Sequence, residues 1–357
     1  MQIQRQFCPE KIVTEFIVSS DYHHKRLDSF LFEALRGPSR SFLANRIKDG
    51  SVVVSPYEGK LRPSVKILTG MKITLTTLNG GEGELEEFKP EVPHLVYNDD
   101  DVVIIDKPPF MTTHPTGRKI FYCATVWCFD LFEKKEIKKN HSSGMYHSVH
   151  RIDRETSGLL VMAKNSKSAK YLSMQFENHQ VRKCYLLVAH QRKENPLMEG
   201  DSLAITERIK ESGESRREKI LMKCFPFESS LGKEAHTDFH IVKVYGDFIV
   251  ALAFPKTGRQ HQIRVHAAFH GFPLVGDKIY KGGLELFLRY ADGIETKEDK
   301  EEMIIERQAL HAFALEMSLK NGEEKKVLFT PELPTDFLKL IPQLEEEDLT
   351  SWVKKVL

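Results

Sequence analysis

No stretch of this chain approaches the run of about 20 apolar residues that a helix needs to cross a bilayer, so a helical membrane protein is not expected. Residues 1–17 mix charge with apolar side chains and lack the cationic-then-apolar layout of a secretory signal. Cysteine is sparse. The five present, at 8, 123, 128, 184 and 224, form no Cys-x-x-Cys pair, which points to reduced thiols in a cytoplasmic protein rather than a disulfide framework. Neither Gly-x-x-x-x-Gly-Lys-Ser/Thr nor Gly-x-Gly-x-x-Gly occurs, so the usual nucleotide cradles are missing and no cofactor is expected. A Gly-x-Ser-x-Gly elbow and a metal-spaced His/Asp set are missing too, which sets aside serine and metal hydrolases. Nor does one sign of charge dominate: the formal net charge is +1.

What is present describes a globular chain. Hydrophobic residues make up 41% and charged residues 29% of 357, enough for two domains with cores of their own. The balanced charge hides an asymmetry, because residues 25–72 hold ten basic against four acidic side chains. Local field rather than the sum governs attraction to phosphate. In that stretch Leu27, Phe30, Leu31, Ala34 and Leu35 recur at helical spacing up to Gly37-Pro38. Ser39-Arg40-Ser41 opens a second helix over 42–48 that closes at Asp49-Gly50, and strands over 52–54 and 70–75 follow. Arg36, Arg40, Arg46 and Lys48 lie along the two helices, as phosphate contacts or as an ordinary solvated face. Residues 79–84 are glycine-rich and acidic, a flexible linker, and 131–143 is a polar, exposed loop. Residues 207–219, with Arg208, Lys210, Arg216 and Arg217, form either a hairpin over bound nucleic acid or a plain surface loop. Residues 282–306 look like an insertion without an assignable task.

Three segments carry chemistry. In His150-Arg151-Ile152-Asp153-Arg154-Glu155-Thr156-Ser157-Gly158 one carboxylate sits between two arginines, whose permanent charge keeps it ionised. Thr-Ser-Gly is a turn, and the apolar 159–163 that follows is a buried strand. Taken alone, Asp153 would be a structural ion pair. The strand Lys183-Cys184-Tyr185-Leu186-Leu187-Val188 offers a ring that can stack on an extruded base and a phenol tip that can hydrogen-bond it. Cys184, next to that tyrosine, is expected to be open to an alkylating reagent. Thr257-Gly258-Arg259-Gln260-His261-Gln262-Ile263-Arg264-Val265-His266 follows a strand at 248–254 and reads as a short helix with basic side chains. His261 and His266 are five positions apart, not four, so they do not share a helix face as zinc ligands would.

These segments, in this order, resemble the RluA-type family of pseudouridine synthases. The hairpin and Lys107-Pro108 turn of 95–109, Gly276-Asp277-x-x-Tyr280 and Arg307-Gln308-Ala309-Leu310-His311-Ala312 match further motifs of that family. Two departures are Gln260 in a Thr/Ser slot and Ala189-His190 where a small residue and glycine are usual. The resemblance implies an α+β pseudouridine synthase fold, with a mixed, mostly antiparallel central sheet flanked by helices and loops. It implies Asp153, Tyr185 and Arg264 as catalytic residues, and Arg151, Arg154, Thr156, Lys183, Arg259, His261 and Gln262 as substrate-binding ones. Arg-Leu-Asp-x-Phe-Leu, Ser-Arg-Ser, Gly-x-Val-Val and Gly-x-x-Ile in 26–73 resemble a small S4 RNA-binding domain, with Arg36, Arg40, Arg46 and Lys48 as its RNA contacts. The boundaries implied are an extension at 1–22, the S4-like α/β module at 23–77, the linker at 78–92, the catalytic domain at 93–345 and a tail at 346–357. The implied activity isomerises uridines of structured ribosomal or transfer RNA, in a cytoplasmic monomer of bacterial type or an organelle copy, without metal or cofactor. A non-enzymatic RNA-binding or ribosome-assembly factor on the same fold is the competing expectation.

Overall fold

The computed structural model of the protein describes residues 2–7, 11–35, 40–78, 91–114, 123–133, 146–213 and 218–356. The expected linker at 79–84, most of the loop at 131–143, and Arg36, Arg216 and Arg217 lie outside the described residues. The chain divides into two compact units, 1–92 with 111–148, and 93–110 with 149–357.

In the first unit, strands β1 (Gln2–Phe7), β2 (Lys11–Ile17), β3 (Val52–Ser55) and β4 (Lys72–Leu78) form an antiparallel sheet in the order β1-β2-β4-β3. Helices α1 (Leu27–Leu35) and α2 (Arg40–Lys48) pack against each other. The helical spacing of Leu27, Phe30, Leu31, Ala34 and Leu35 has its physical outcome here: all five are buried, with Leu43 and Ile47 of α2 and Ile73 and Leu75 of β4. Phe16 of β2 meets Phe30 edge-on, ring centres 5.7 Å apart. Residues 2–7 and 11–17 of the expected extension therefore join this sheet, with β2 paired to β4 from Lys11↔Leu78 to Ile17↔Lys72. Helix α3 (Ala124–Glu133) and the two-residue strand β7 (His147–Ser148) belong to the 111–148 part of this unit.

The second unit is built on one large sheet. Its strands are β5 (His94–Asn98), β6 (Val102–Lys107), β8 (Ser157–Ala163), β9 (Arg182–His190), β10 (Ser202–Ile205), β13 (Thr237–Tyr245), β14 (Phe248–Pro255), β15 (Leu310–Met317) and β16 (Lys326–Phe329). They run β10-β13-β14-β9-β15-β8-β6-β5, with β16 on β15. The β15–β8 pair is parallel and the others are antiparallel, a mixed and mostly antiparallel sheet. A separate hairpin, β11 (Arg208–Glu211) with β12 (Met222–Phe225), lies in the charged segment 207–219 and just after it.

Strand alternation decides what each face of β9 touches. Cys184, Leu186 and Val188 enter one core, with Phe337 of α8 (Thr335–Leu340) and Leu349 and Val353 of α9 (Leu349–Val356). Tyr185, Leu187 and Ala189 face the other, with Ile263 and Ala267 of α5 (Gln262–Phe269). The segment 346–357 thus supplies a packed helix, and Cys184 faces away from Tyr185. Cys184 has no exposed surface, and burial pushes its thiol well up, so the expected alkylation does not follow from this structure. A third core sets α4 (Ser166–Glu177) against β6 and β8. Residues 282–306 hold α6 (Gly283–Asp292) and α7 (Lys297–Met303); Arg289 grips Asp299 through two hydrogen bonds, and Thr296 and Asp299 close a capping box.

Candidate active site

A cleft of about 540 Å³ opens where the loop before β8, strand β9 and the start of α5 converge. Asp153, Tyr185 and Arg264, drawn from three distant segments, all line it, as do Arg151, Thr156, Lys183, Arg259, His261 and Gln262.

Arg264 organises the floor. Its side chain is 5% exposed, and its Nε and Nη2 donate to the two oxygens of Asp277 at 2.7 and 2.8 Å. Its Nη1 donates to Oδ2 of Asp153 at 3.1 Å. Asp277 is fully buried and also accepts the backbone N–H groups of Ile279 and Tyr280, both at 3.0 Å. One planar guanidinium thus bridges a structural and a cleft-facing carboxylate, a geometry lysine could not supply. Asp153 keeps 24% of its side chain exposed, and its Oδ1 has no partner among the described residues.

Burial pushes the Asp153 carboxyl up, but His261, Arg264 and Arg151 outweigh it and hold the group below the ordinary aspartate range. Burial brings His261 itself down to about 4, so at neutral pH the charge that keeps Asp153 ionised is that of the arginines. The Tyr185 phenol is raised by burial and by the Asp153 charge and stays protonated; its hydroxyl has no partner among the described residues. Lys183 donates to the Thr257 carbonyl at 3.1 Å, and burial lowers it to about 8.

The loop carrying Asp153 is fastened from behind. Lys107, fully buried, donates to the carbonyls of Pro108 at 2.8 Å and Arg154 at 3.2 Å. Arg307 donates to the Glu155 carbonyl at 3.3 Å while its Nε and Nη2 hold Asp336. Lys278 pairs with Glu155 at 2.9 Å and also donates to the Glu306 carbonyl. Gln308 donates to the Thr156 hydroxyl at 3.3 Å.

The model of the RNA pseudouridylate synthase family matches residues 101–269. Over 339 residues, 93% of this chain and 98% of the relative, the sequence is 30% identical to the uncharacterized RNA pseudouridine synthase YlyB of Bacillus subtilis. The chain belongs to this family. It is also 30% identical over 322 residues, 90% of this chain and 79% of the other, to ribosomal large subunit pseudouridine synthase D of Neisseria meningitidis. Among solved structures, human RNA pseudouridylate synthase domain containing 4 shares the fold, with a TM-score of 0.51, 22% identity, and 71% of this chain and 93% of that one covered. As a pseudouridine synthase the protein is an isomerase that acts on RNA.

Not every expected site residue turns its polar group to the cleft of this synthase. Arg154 is exposed, pairs with Glu155 at 3.1 Å and lies over the Phe110 ring, and it is not part of the lining. Gln262 spends its amide inside the protein: it accepts from the Thr257 hydroxyl and the Arg259 N–H, and donates to the His236 carbonyl and Thr237 hydroxyl. Its task is to shape the turn that presents Arg259 and His261. In the sequence Lys107, Asp277, Tyr280 and Arg307 stand out only as parts of motifs; their long-range partners are set by the fold. Lys278 carried no signal of its own. His266 is hydrogen-bonded to Thr237 and to the Glu207 carbonyl.

In the first unit, Arg40 is exposed with its guanidinium 5.0 Å from the Phe32 ring centre, and Lys48 is exposed. Arg46 pairs with Asp49 at 2.9 Å. Lys25 and Arg26 pair with Glu33 and Asp28, which leaves Arg40, Lys48, Lys60, Arg62 and Lys66 without an ion pair among the described residues. Among those residues no helix is long and apolar enough to cross a membrane.

Proposed function

We propose that Asp153 is the catalytic carboxylate of this synthase, that Arg264 holds it charged and aimed, and that Tyr185 receives the extruded uracil. The observation that carries the reading is the Asp153 carboxylate itself: one oxygen is held by Arg264 at 3.1 Å, the other has no partner among the described residues, and the residue lines a cleft with Tyr185. The reaction breaks the bond from the sugar C1′ to N1 of uracil, turns the base, and forms a bond from C1′ to C5. The C5 proton is released and N1 takes one up, so substrate and product have the same composition. Breaking the glycosidic bond leaves an electron-poor sugar. A free carboxylate oxygen serves there as a nucleophile at C1′ or as a base at C2′. Drawing the uridine from its stack costs a few kcal/mol, and stacking on the Tyr185 ring offsets part of that cost.

Arg151, Lys183 and Arg259 are the proposed contacts to the target strand. Thr156, Gln262, His261 and Arg154 are assigned to holding the loops that carry it. The unit spanning 23–77 is proposed as an S4-like RNA-binding module ahead of the linker and the catalytic domain. Arg40 and Lys48 contact phosphate, Arg46 is partly spent on Asp49, and Arg36 is retained from the sequence alone. Such contacts position RNA without reading it. The substrate proposed is structured ribosomal or transfer RNA, acted on by a monomer in the cytoplasm; the name of the Neisseria relative supports the ribosomal choice.

The test is the pair Asp153→Asn and Asp153→Ala, incubated with bulk cellular RNA and assayed for alkali-resistant carbodiimide adducts of pseudouridine. Both are expected to bind RNA and form no pseudouridine, and normal turnover by Asp153→Asn would overturn the assignment. Mapping modified uridines in cells with and without the gene identifies the target RNA.

A further inference from the structure

His261 sits in an unusual place for a side chain that the mechanism above does not use. It precedes the first residue of α5 with φ 54°, a left-handed backbone that few residues other than glycine adopt. Its side chain is 8% exposed, and its two ring nitrogens face different partners. Nε2 lies 3.9 Å from Oδ2 of Asp153, the same oxygen that Arg264 holds. Nδ1 lies 3.0 Å from the hydroxyl of Tyr280, whose ring also lies 5.2 Å from the Arg264 guanidinium.

The Tyr280 hydroxyl decides where the imidazole proton resides. It accepts the backbone N–H of Met222 at 3.1 Å, so its own single proton needs an acceptor. Among the described residues the acceptor in reach is Nδ1 of His261. If Nδ1 takes that bond through its lone pair, the proton of the neutral ring is on Nε2, pointing toward the carboxylate. The opposite tautomer would strand the tyrosine proton and turn an imidazole lone pair toward an anionic oxygen. Hydrogen bonding and charge select the same form. Burial keeps the ring neutral at physiological pH, so one tautomer rather than a second positive charge is at issue.

We propose that His261 is a positioning residue for Asp153, held by Tyr280 in the tautomer with its proton on Nε2, so that this N–H, 3.9 Å from Oδ2 and beyond a direct hydrogen bond, adds its electrostatic pull to the bond Arg264 makes there and leaves Oδ1 for the sugar. The proposal rests on the reading of Asp153 as the catalytic carboxylate and adds which of its oxygens reacts. It also gives the hairpin of β11 and β12 a part: through the N–H of Met222 it orients Tyr280, and through Tyr280 the carboxylate.

The experiment is nitrogen NMR on the full chain labelled in its histidine rings, with the His261 resonances assigned by their loss in His261→Gln. The expected result is a single Nε2-protonated form at neutral pH, which becomes a tautomer mixture in Tyr280→Phe. A ring protonated on Nδ1, or a tautomer indifferent to Tyr280→Phe, overturns the proposal. Kinetics supply the second arm. His261→Leu is expected to lower kcat about tenfold with little change in KM. His261→Gln, whose amide N–H can reach the position of Nε2–H, recovers part of that loss, and a glutamine variant as slow as the leucine one counts against the idea. The tautomer is measured on free protein, so its outcome stands apart from that of Asp153→Asn, which tests the underlying reading.

Discussion

Lys183 and Asp153 sit in one cleft and respond to pH in opposite ways. Burial lowers Lys183 to about 8, so it is charged below that value and neutral above it. As a proposed contact to the anionic target strand, it contributes affinity only while charged. Affinity for RNA is therefore expected to fall several-fold as pH rises through about 8, and Lys183→Arg, charged at every accessible pH, should flatten that limb. Binding titrations at constant ionic strength with the Asp153→Asn chain would show it; an alkaline limb of the same depth in the arginine variant assigns the effect elsewhere. Asp153 is held below the usual aspartate range, so its ionisation should impose no loss of kcat between neutral pH and that range. Part of this was legible in the sequence. Local pattern alone would have made Asp153 a structural ion pair; it, Tyr185 and Arg264, which line one cleft, stood out as candidates because their motifs in order resemble one family. Asp277 and Tyr280 did not, because their work is done on partners reached by folding: Asp277 takes two nitrogens of Arg264 from 13 positions away, and Tyr280 reaches Met222 from 58 positions away.

The loop bearing Asp153 owes its position to the junction of β8 with β15. The two strands run parallel there, with Ser157 opposite His311 and Gly158 opposite Ala312. Gly158 has φ 108°, and a Cβ at that position would lie 2.3 Å from the carbonyl oxygen of Ala312. The Cβ is fixed by its own backbone and meets backbone, so no rotamer change relieves the contact. Gly158→Ala is therefore expected to destabilise the protein by roughly 2–4 kcal/mol and to lower kcat by displacing the catalytic loop. Denaturant unfolding and single-turnover kinetics would check this, and wild-type stability in the variant would show that the junction yields more easily than its geometry implies. Elements with a strong period were readable beforehand, such as α1 with its apolar stripe and β8 with its unbroken apolar run. Two others escaped for physical reasons. Strands β1 and β2 mix polar and charged residues and become strands by pairing with each other and with β4, which is 55 positions on from the end of β2. Helix α9 follows an acidic run that suggests a solvated tail, yet Leu349 and Val353, one helical turn apart, are buried in the core beside Phe337.

At the level of the whole chain, the second unit stores an acid sensitivity in its histidines. Burial lowers His150 and His311 to about 3 and His261 and His266 to about 4, against an unfolded value of 6.5. All are spent on internal contacts or on the cleft: His311 bridges the hydroxyls of Ser157 and Thr330, and His150 accepts the Val161 N–H and stacks on Phe176. Each depressed histidine gives the unfolded chain an extra proton below pH 6.5, so stability falls as pH drops from there toward the folded-state values. The slope is on the order of 1.4 kcal/mol per pH unit per group. Asp106 acts in the opposite sense, because burial raises it to about 6 and the folded state takes up its proton first. One group cannot offset four, and the net slope of about 4 kcal/mol per pH unit is large beside a typical total stability of roughly 5–15 kcal/mol. The urea midpoint should therefore drop steeply between about pH 6 and pH 5, with an unchanged dependence on denaturant. His311→Gln, which keeps donors and acceptors between the two hydroxyls but cannot titrate, should make the drop shallower by about one group's share. A midpoint that holds steady across this range would mean that the buried rings keep their protons, and the neutral His261 on which the orientation of Asp153 depends would fall with them.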